Sequence, residues 1–440
     1  MKIKINHTIF MISGLILLLI AANYWGIAQY VMPFSLRKAL LILSGALPLV
    51  LPFRYKKSRI ILPWLFCFMI VVLNRNQEFA RGEYYSSLRL IAAYLFIFAS
   101  IKSCEWIKEA PKIISIVGGV NVIATILFFF NNRLYRIFIE ATYKQYQNGT
   151  KNGTYGYRAA LADHYSQNGT YITIVLLTVW AAFFALQTVN NKQKISIRIK
   201  RKHNGLKNKK INRDFLLYGG IITGIALLLT SKRAHLLFGI VTLVVVYYVI
   251  NPEKRFQKSF KLMIAVAVAL VGLNFLMDFI PEIAQVFERF QTAGSDNASL
   301  LRILMWERAQ KIFKQNPIIG IGWYGFRYKS GLSEATGATA GCHNIYLELL
   351  CENGFFGFLV FMFTMITSII GTWKNINLVC DKKSTELNDV KAALAVSFAI
   401  QFFVLLYGMT GNPIYDSTFC FYAVAVAINI SFSMNMRGKI

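Results

Sequence analysis

The chain has 440 residues, 56% of them hydrophobic, a net charge of +28 and six cysteines. Apolar runs long enough to cross hydrocarbon recur almost end to end, which excludes a soluble globular protein. The cysteines show no CxxC and no Cys/His cluster, which speaks against zinc or iron–sulfur sites.

In chain order, apolar spans are expected at about 7–26, 36–53, 60–73, 88–101, 113–130, 170–187, 215–230, 235–250, 262–280, 353–371, 392–410 and 417–434. The first has no small-residue cleavage site behind it and reads as a retained span. The expected fold is one all-α integral membrane domain over 1–440, with about 12 transmembrane helices and both termini cytoplasmic. The segments this places in the cytoplasm hold 29 of the 48 Lys and Arg, as the positive-inside rule requires. The basic loop 188–214, with its run from Lys192 to Arg213, reads as a topology anchor against an anionic leaflet and not as a nucleic-acid site.

The outer side carries 12 arginines against 7 lysines, the reverse of the inner side. Topology opposes these arginines. A guanidinium grips phosphate or carboxylate in a two-pronged fashion, so an anionic ligand on the extracytoplasmic face is expected. Pairing with outer acids such as Glu78, Glu83 and Glu288 is the competing explanation for part of them.

Two outer loops are long enough to be functional, 131–169 and 281–352. The first holds NGT triplets at Asn148, Asn152 and Asn168, read as turns, and YRAALADHYSQNG with Arg158, Asp163 and His164. Asp163 beside His164 fits an acid–base pair or a plain loop-to-helix cap. The second loop opens with an interfacial helix from about Leu300 to Gln315, capped by Ser299, with Arg302 and Trp306 on one face. PIIGIGWYGF then allows a tight return, and the chain reaches GCHNIYLELLCENGFFGF. A helix starting near His343 aligns Asn344, Glu348 and Glu352. Cys342 and Cys351 on that helix would lie too far apart for a disulfide. Between the seventh and eighth spans, TSKRA sets Lys232 and Arg233 at the membrane surface. His343, at the start of the helix bearing Asn344, suits a general base, although a structural role at a helix start is the commoner one. Glu348 and Glu352 read as structural.

Together TSKRA, LLRILMWERAQKIFKQNPIIGIGWYGF and CHNIYLELLCENGFFGFL, with YRAALADHYSQNG, resemble the O-antigen ligase and O-antigen polymerase superfamily. Lys232 departs from the small or polar residue usual before the arginine. The resemblance implies a GT-C type membrane glycosyltransferase, inverting and metal-independent, without a cofactor, acting on the extracytoplasmic face of a bacterial plasma membrane. Its donor would be an undecaprenyl-pyrophosphate-linked oligosaccharide and its acceptor a glycan hydroxyl, with other polysaccharide-assembly proteins as further partners. By motif, His343 would be the base, and Arg233 and Arg302 the donor pyrophosphate ligands, with Arg158 a weaker candidate. Asn344 would orient the histidine or bind sugar, with Lys232 and Trp306 supporting. Repeat-unit polymerisation is the leading expectation. Ligase-type transfer of a finished glycan is the alternative, and a transporter or flippase of an anionic lipid-linked glycan is the rival from another class.

Overall fold

The computed structural model describes residues 7–24, 33–46, 60–75, 84–131, 133–137, 156–162, 164–197, 209–250, 297–332, 341–382 and 387–436, with scattered positions from 257 to 280. All the named elements among them are helical. The helices are α1 His7–Asn23, α2 Phe34–Ala46, α3 Leu62–Leu73, α4 Tyr84–Ala99, α5 Ala110–Phe130, α6 Tyr165–Ile197 and α7 Lys209–Leu229. They continue as α8 Arg233–Ile250, α9 Asn297–Gln315, the single turn α10 Phe326–Lys329, α11 Ile345–Asp381, α12 Asn388–Tyr407 and α13 Thr418–Asn435. Six of these, α5, α6, α8, α11, α12 and α13, are long and apolar enough to cross a membrane. Eleven of the twelve expected spans coincide with a helix. The span at 262–280 lies outside the described residues except for scattered helical positions.

The long apolar helices divide by burial. The apolar windows of α6, α12 and α13 are 83% buried, whereas that of α8 is 28% buried and exposes Leu237, Ile240 and Val241. The first three form the centre of the bundle, with α6 packed against α5, α7, α8 and α12. Where hydrocarbon surrounds the bundle, apolar burial supplies little drive between helices, and buried polar pairs help to join them. Gln401 donates to Thr372 at 2.9 Å, Asn375 to Asn429 at 2.8 Å, and Ser397 to the Ala425 carbonyl at 2.6 Å, linking α11, α12 and α13.

Helix α11 is longer than the span expected at 353–371 and is broken at Gly354, whose backbone is left-handed and non-helical (φ 63°, ψ −172°). The carbonyls freed before the break are taken up by the return loop. Ile321 N–H donates to Cys351 O at 3.1 Å and Gly322 N–H to Glu352 O at 2.8 Å, while Phe355 N–H donates to Pro317 O at 2.8 Å. The C-cap of α3 joins them, since Asn74 Nδ2 donates to Ile319 O and Glu352 O. Backbones this close leave no room for a side chain: a Cβ on Gly354 would stand 2.1 Å from the Ile318 carbonyl oxygen. Gly320, also left-handed, would meet Glu352 at 2.3 Å.

Two expectations are corrected. Asn168-Gly169, read as a turn, lies inside the first turns of α6, because Asn168 is buried and donates to Thr125 Oγ1 and to the Arg158 carbonyl. Helix α9 begins at Asn297, so Ser299 is inside it and does not cap it. The triplets at Asn148 and Asn152 lie outside the described residues.

Gly354→Ala combines a left-handed alanine, costing about 1–2 kcal/mol, with a backbone collision. It should lower the thermal midpoint of the purified protein in detergent by several degrees, measured by loss of the monodisperse chromatographic peak on heating. Gly119→Ala, where a Cβ meets nothing within 4 Å, should leave the midpoint unchanged. Equal midpoints for both variants would remove the interlock from the account.

Candidate active site

The start of α6, the α7–α8 hairpin, the start of α11 and the end of α12 meet at one end of the bundle. Thr170 Oγ1 and His235 Nε2 are 2.8 Å apart, and Ile345 N–H donates to the Gly408 carbonyl at 2.8 Å. The Lys232 ammonium lies 3.6 Å above the Tyr165 ring centre. Gly169 makes this possible, since a Cβ there would stand 3.0 Å from Lys232 Cγ.

His343 sits just before α11, half-buried, with φ 54°. Asn344 is the helix N-cap. Its Oδ1 accepts from Tyr346 N–H at 3.0 Å and Leu347 N–H at 3.2 Å, so its oxygen serves the helix start. The helix therefore begins at Ile345, and Cys342 precedes it rather than sharing it with Cys351. Both thiols are buried and free.

Two carboxylates of α11 hold the segments on either side. Glu352 accepts from Tyr324 N–H at 2.8 Å and Phe326 N–H at 2.9 Å, fixing the turn that enters α10. Glu348 accepts from Cys342 N–H at 3.1 Å, fixing the residue before His343. Both side chains are fully buried. They are backbone anchors, in keeping with the structural reading of the sequence.

Burial first, then the charges of Arg302, Arg327 and Lys232, hold the His343 imidazole down to about 4. The ring is therefore neutral at physiological pH and has a lone pair to offer. His164, immediately before α6, is held down to about 3 by burial, then by Lys232 and His343, so the two histidines lie in one electrostatic neighbourhood. Asp163 lies outside the described residues, as do Glu78, Glu83 and Glu288. Among the described residues the ion pairs, Lys108–Glu105 and Lys112–Glu109, lie elsewhere in the chain.

Of the cations singled out in the sequence, Arg302 and Lys232 act on His343 directly. Arg233 opens α8 beside Lys232, and Arg158 is tied to α6 through its carbonyl, but neither is among the groups that shift His343. Trp306 packs partly buried against Met305, Ala309, Phe326 and Cys342, as an anchor for α9. Arg327 was missed. It directly follows the PIIGIGWYGF segment, and its guanidinium lies 4.8 Å above the Tyr324 ring centre. A fork-shaped cation beside the return segment was the available signal, and only the folded chain, with its turn clamped by Glu352, brings its charge to bear on His343.

Backbone strain marks the same segments. The non-glycine residues with left-handed φ among the described residues are Ala160, Ser231, Tyr324 and His343. One falls in each of the four motifs read from the sequence. Such residues cost about 1–3 kcal/mol each and concentrate at working sites.

An all-helical, multi-pass membrane protein with cations drawn around a neutral histidine is the class that fold and site define. Residues 218–362 match the O-antigen ligase family, from within α7 to just past the break in α11. That stretch holds Lys232, Arg233, Arg302, Trp306, Arg327, His343 and Asn344, and bears out the resemblance noted in the sequence. The chain is 29% identical over 177 residues to an uncharacterised protein of Haemophilus influenzae, covering 36% of this chain and 44% of that one. It is 25% identical over 148 residues to the exopolysaccharide production protein ExoQ of Rhizobium meliloti, covering 31% of this chain and 32% of that one. The matched stretch thus spans less than half the length of either relative.

Carbethoxylation by diethyl pyrocarbonate requires a neutral imidazole, so its pH profile reads the His343 titration. Half-maximal reaction of His343, followed by peptide mass spectrometry, should fall near pH 4. In Arg302→Gln it should move upward, toward the ordinary histidine range. A midpoint near 6.5 in the unaltered protein would show that the cations do not act on the ring.

Proposed function

We infer that the protein is an inverting, metal-independent glycosyltransferase that joins polysaccharide repeat units carried on undecaprenyl pyrophosphate. The observation that carries this reading is the neutral His343 held among Arg302, Arg327 and Lys232. A base and an anion site in one neighbourhood are the two things the reaction needs.

The donor pyrophosphate binds to Arg302 and Arg233, with Lys232 adding charge. The acceptor hydroxyl oxygen attacks the anomeric carbon from the face opposite the pyrophosphate, and the imidazole of His343 takes the hydroxyl proton. The bond from the anomeric carbon to the pyrophosphate oxygen breaks, and its electron pair leaves on that oxygen. Fixed guanidiniums offset the developing charge, so inversion needs one displacement and no covalent sugar–protein intermediate. A base near 4 is weak in the free protein. Binding of the pyrophosphate offsets the cations, raises the imidazole pKa and strengthens the base when the donor is present.

The remaining parts of the reading follow from it. The site faces the extracytoplasmic side of a bacterial plasma membrane, where lipid-linked glycans are assembled. The chain crosses about twelve times in a GT-C arrangement, with both termini cytoplasmic. The ExoQ similarity supports exopolysaccharide as the kind of product.

The test is the mass of the glycan after incubating membranes or purified protein with lipid-linked oligosaccharide. Lengthening is expected, and an unaltered mass would sink the reading. Arg233→Ala and Arg302→Ala should each lose about a hundredfold or more in turnover, the loss expected for a removed oxyanion-type donor. His343→Ala should lose roughly 10²- to 10⁴-fold. Near-normal transfer by well-expressed variants would free these residues of those roles. The acid limb of kcat/KM, which reports the free enzyme, should fall near pH 4, and that of kcat should lie higher. Coincident limbs would show that the donor does not offset the cations beside His343.

A further inference from the structure

Helix α9 has two polar flanks. At roughly 100° per residue, its buried stripe of Met305, Ala309 and Ile312 runs between them. Arg302, whose charge acts on His343, lies on one side of the stripe with Trp306. Arg308, Lys311 and Gln315 lie on the other. The turn α10 repeats the division, with Arg327 acting on His343 and Lys329 placed two residues further on.

The second flank borders a cavity of about 550 Å³. Arg308, Lys311 and Lys329 line it together with the amides of Gln315 and Asn316, and no carboxylate is among the lining residues. The volume lies within the range of small-molecule sites. Among the described residues none of the three cations is in an ion pair.

One edge of this cavity is apolar. Asn316 and Ile321, both in its lining, bracket the segment that bends against the break in α11. Ile318 and Ile319 of that segment are exposed, and across the break so are Phe355, Phe356, Leu359 and Phe363 of α11. They form an apolar strip that runs from a membrane-spanning helix to the mouth of a cationic cavity. A sugar chain arriving from water has no use for such a strip. A lipid does, because its tail stays in hydrocarbon while its headgroup meets the cations.

We propose that this cavity is a second lipid-phosphate site, separate from the one beside His343, and that it takes the phosphate or pyrophosphate headgroup of a membrane lipid. The inference deepens the polymerase reading and rests on it for its meaning: joining two lipid-borne units calls for a second lipid-borne substrate.

The experiment counts undecaprenyl pyrophosphate bound to the full chain in phosphatidylcholine nanodiscs by native mass spectrometry. Two equivalents are expected. Arg302→Ala should remove one, and the triple variant R308Q/K311Q/K329Q should remove the other. Each lost charged hydrogen bond weakens binding by about tenfold or more. Replacing phosphatidylcholine by phosphatidylglycerol identifies the source. Displacement of the second equivalent means that the site accepts phospholipid phosphate generally, and retention means that it prefers a polyprenyl diphosphate. The proposal is overturned if the triple variant binds as the unaltered protein does. It is also overturned if the three cations are needed only for a lipid-free hexuronate oligosaccharide. Loss confined to the equivalent beside Arg302 tests the donor site, so the two readings fail separately.

Discussion

The site depends on one interlock, the meeting of a broken helix with a glycine-rich return loop. An interrupted helix leaves carbonyls and amides without intrahelical partners, and inside a membrane protein these are costly. Here Ile321 and Gly322 supply the missing donors, and Pro317 accepts from the first residue beyond the break. Only glycine permits the approach at Gly320 and Gly354, where a Cβ would collide with backbone. The glutamates on the first turns of α11 then reach out of this knot. Glu352 clamps the turn that carries Arg327, and Glu348 clamps the residue before His343.

The consequence is that the candidate site residues divide their side chains between structural support and the space around His343 in a way residue type alone does not reveal. Asn344 spends its side-chain oxygen on capping α11, and Trp306 anchors α9. Such supports matter for the general-base role proposed for His343, since a base must be held close to its reacting oxygen. The left-handed backbone at Ser231, Tyr324 and His343 is sustained by the same packing, which over-determines those positions.

Electrostatics tie the site together through cations set near neutral histidines. Buried histidines and nearby cations are mutually unfavourable when both are charged, so the imidazoles stay neutral and the positive field remains available to an incoming anion. Lys232 exerts this effect on both His164 and His343. Its place above the Tyr165 ring and against Gly169 keeps it there. The departure from the usual family pattern at this position therefore adds a cation in contact with α6.

The all-helical, membrane-spanning character and the motif segments were legible in the sequence, because hydropathy runs and short residue patterns are local properties. So was the candidacy of His343, Arg302 and Lys232, through the order and spacing of their motifs. The early start of α6 was not, because Asn168-Gly169 reads locally as a turn and becomes helical through contacts with Thr125, Arg158 and Lys232. Arg327 was not either, since the turn that carries it is fixed by two backbone N–H groups donating to a glutamate 25 residues later in the chain. The sequence by itself determined that this is a polytopic helical membrane protein with an arginine-rich, histidine-bearing segment. Which cations face the histidine, and that α9 turns a second cationic flank away from it, was decided only by the tertiary structure. Both depend on how a broken helix, a return loop and α9 pack against one another, and that packing joins residues far apart in the chain.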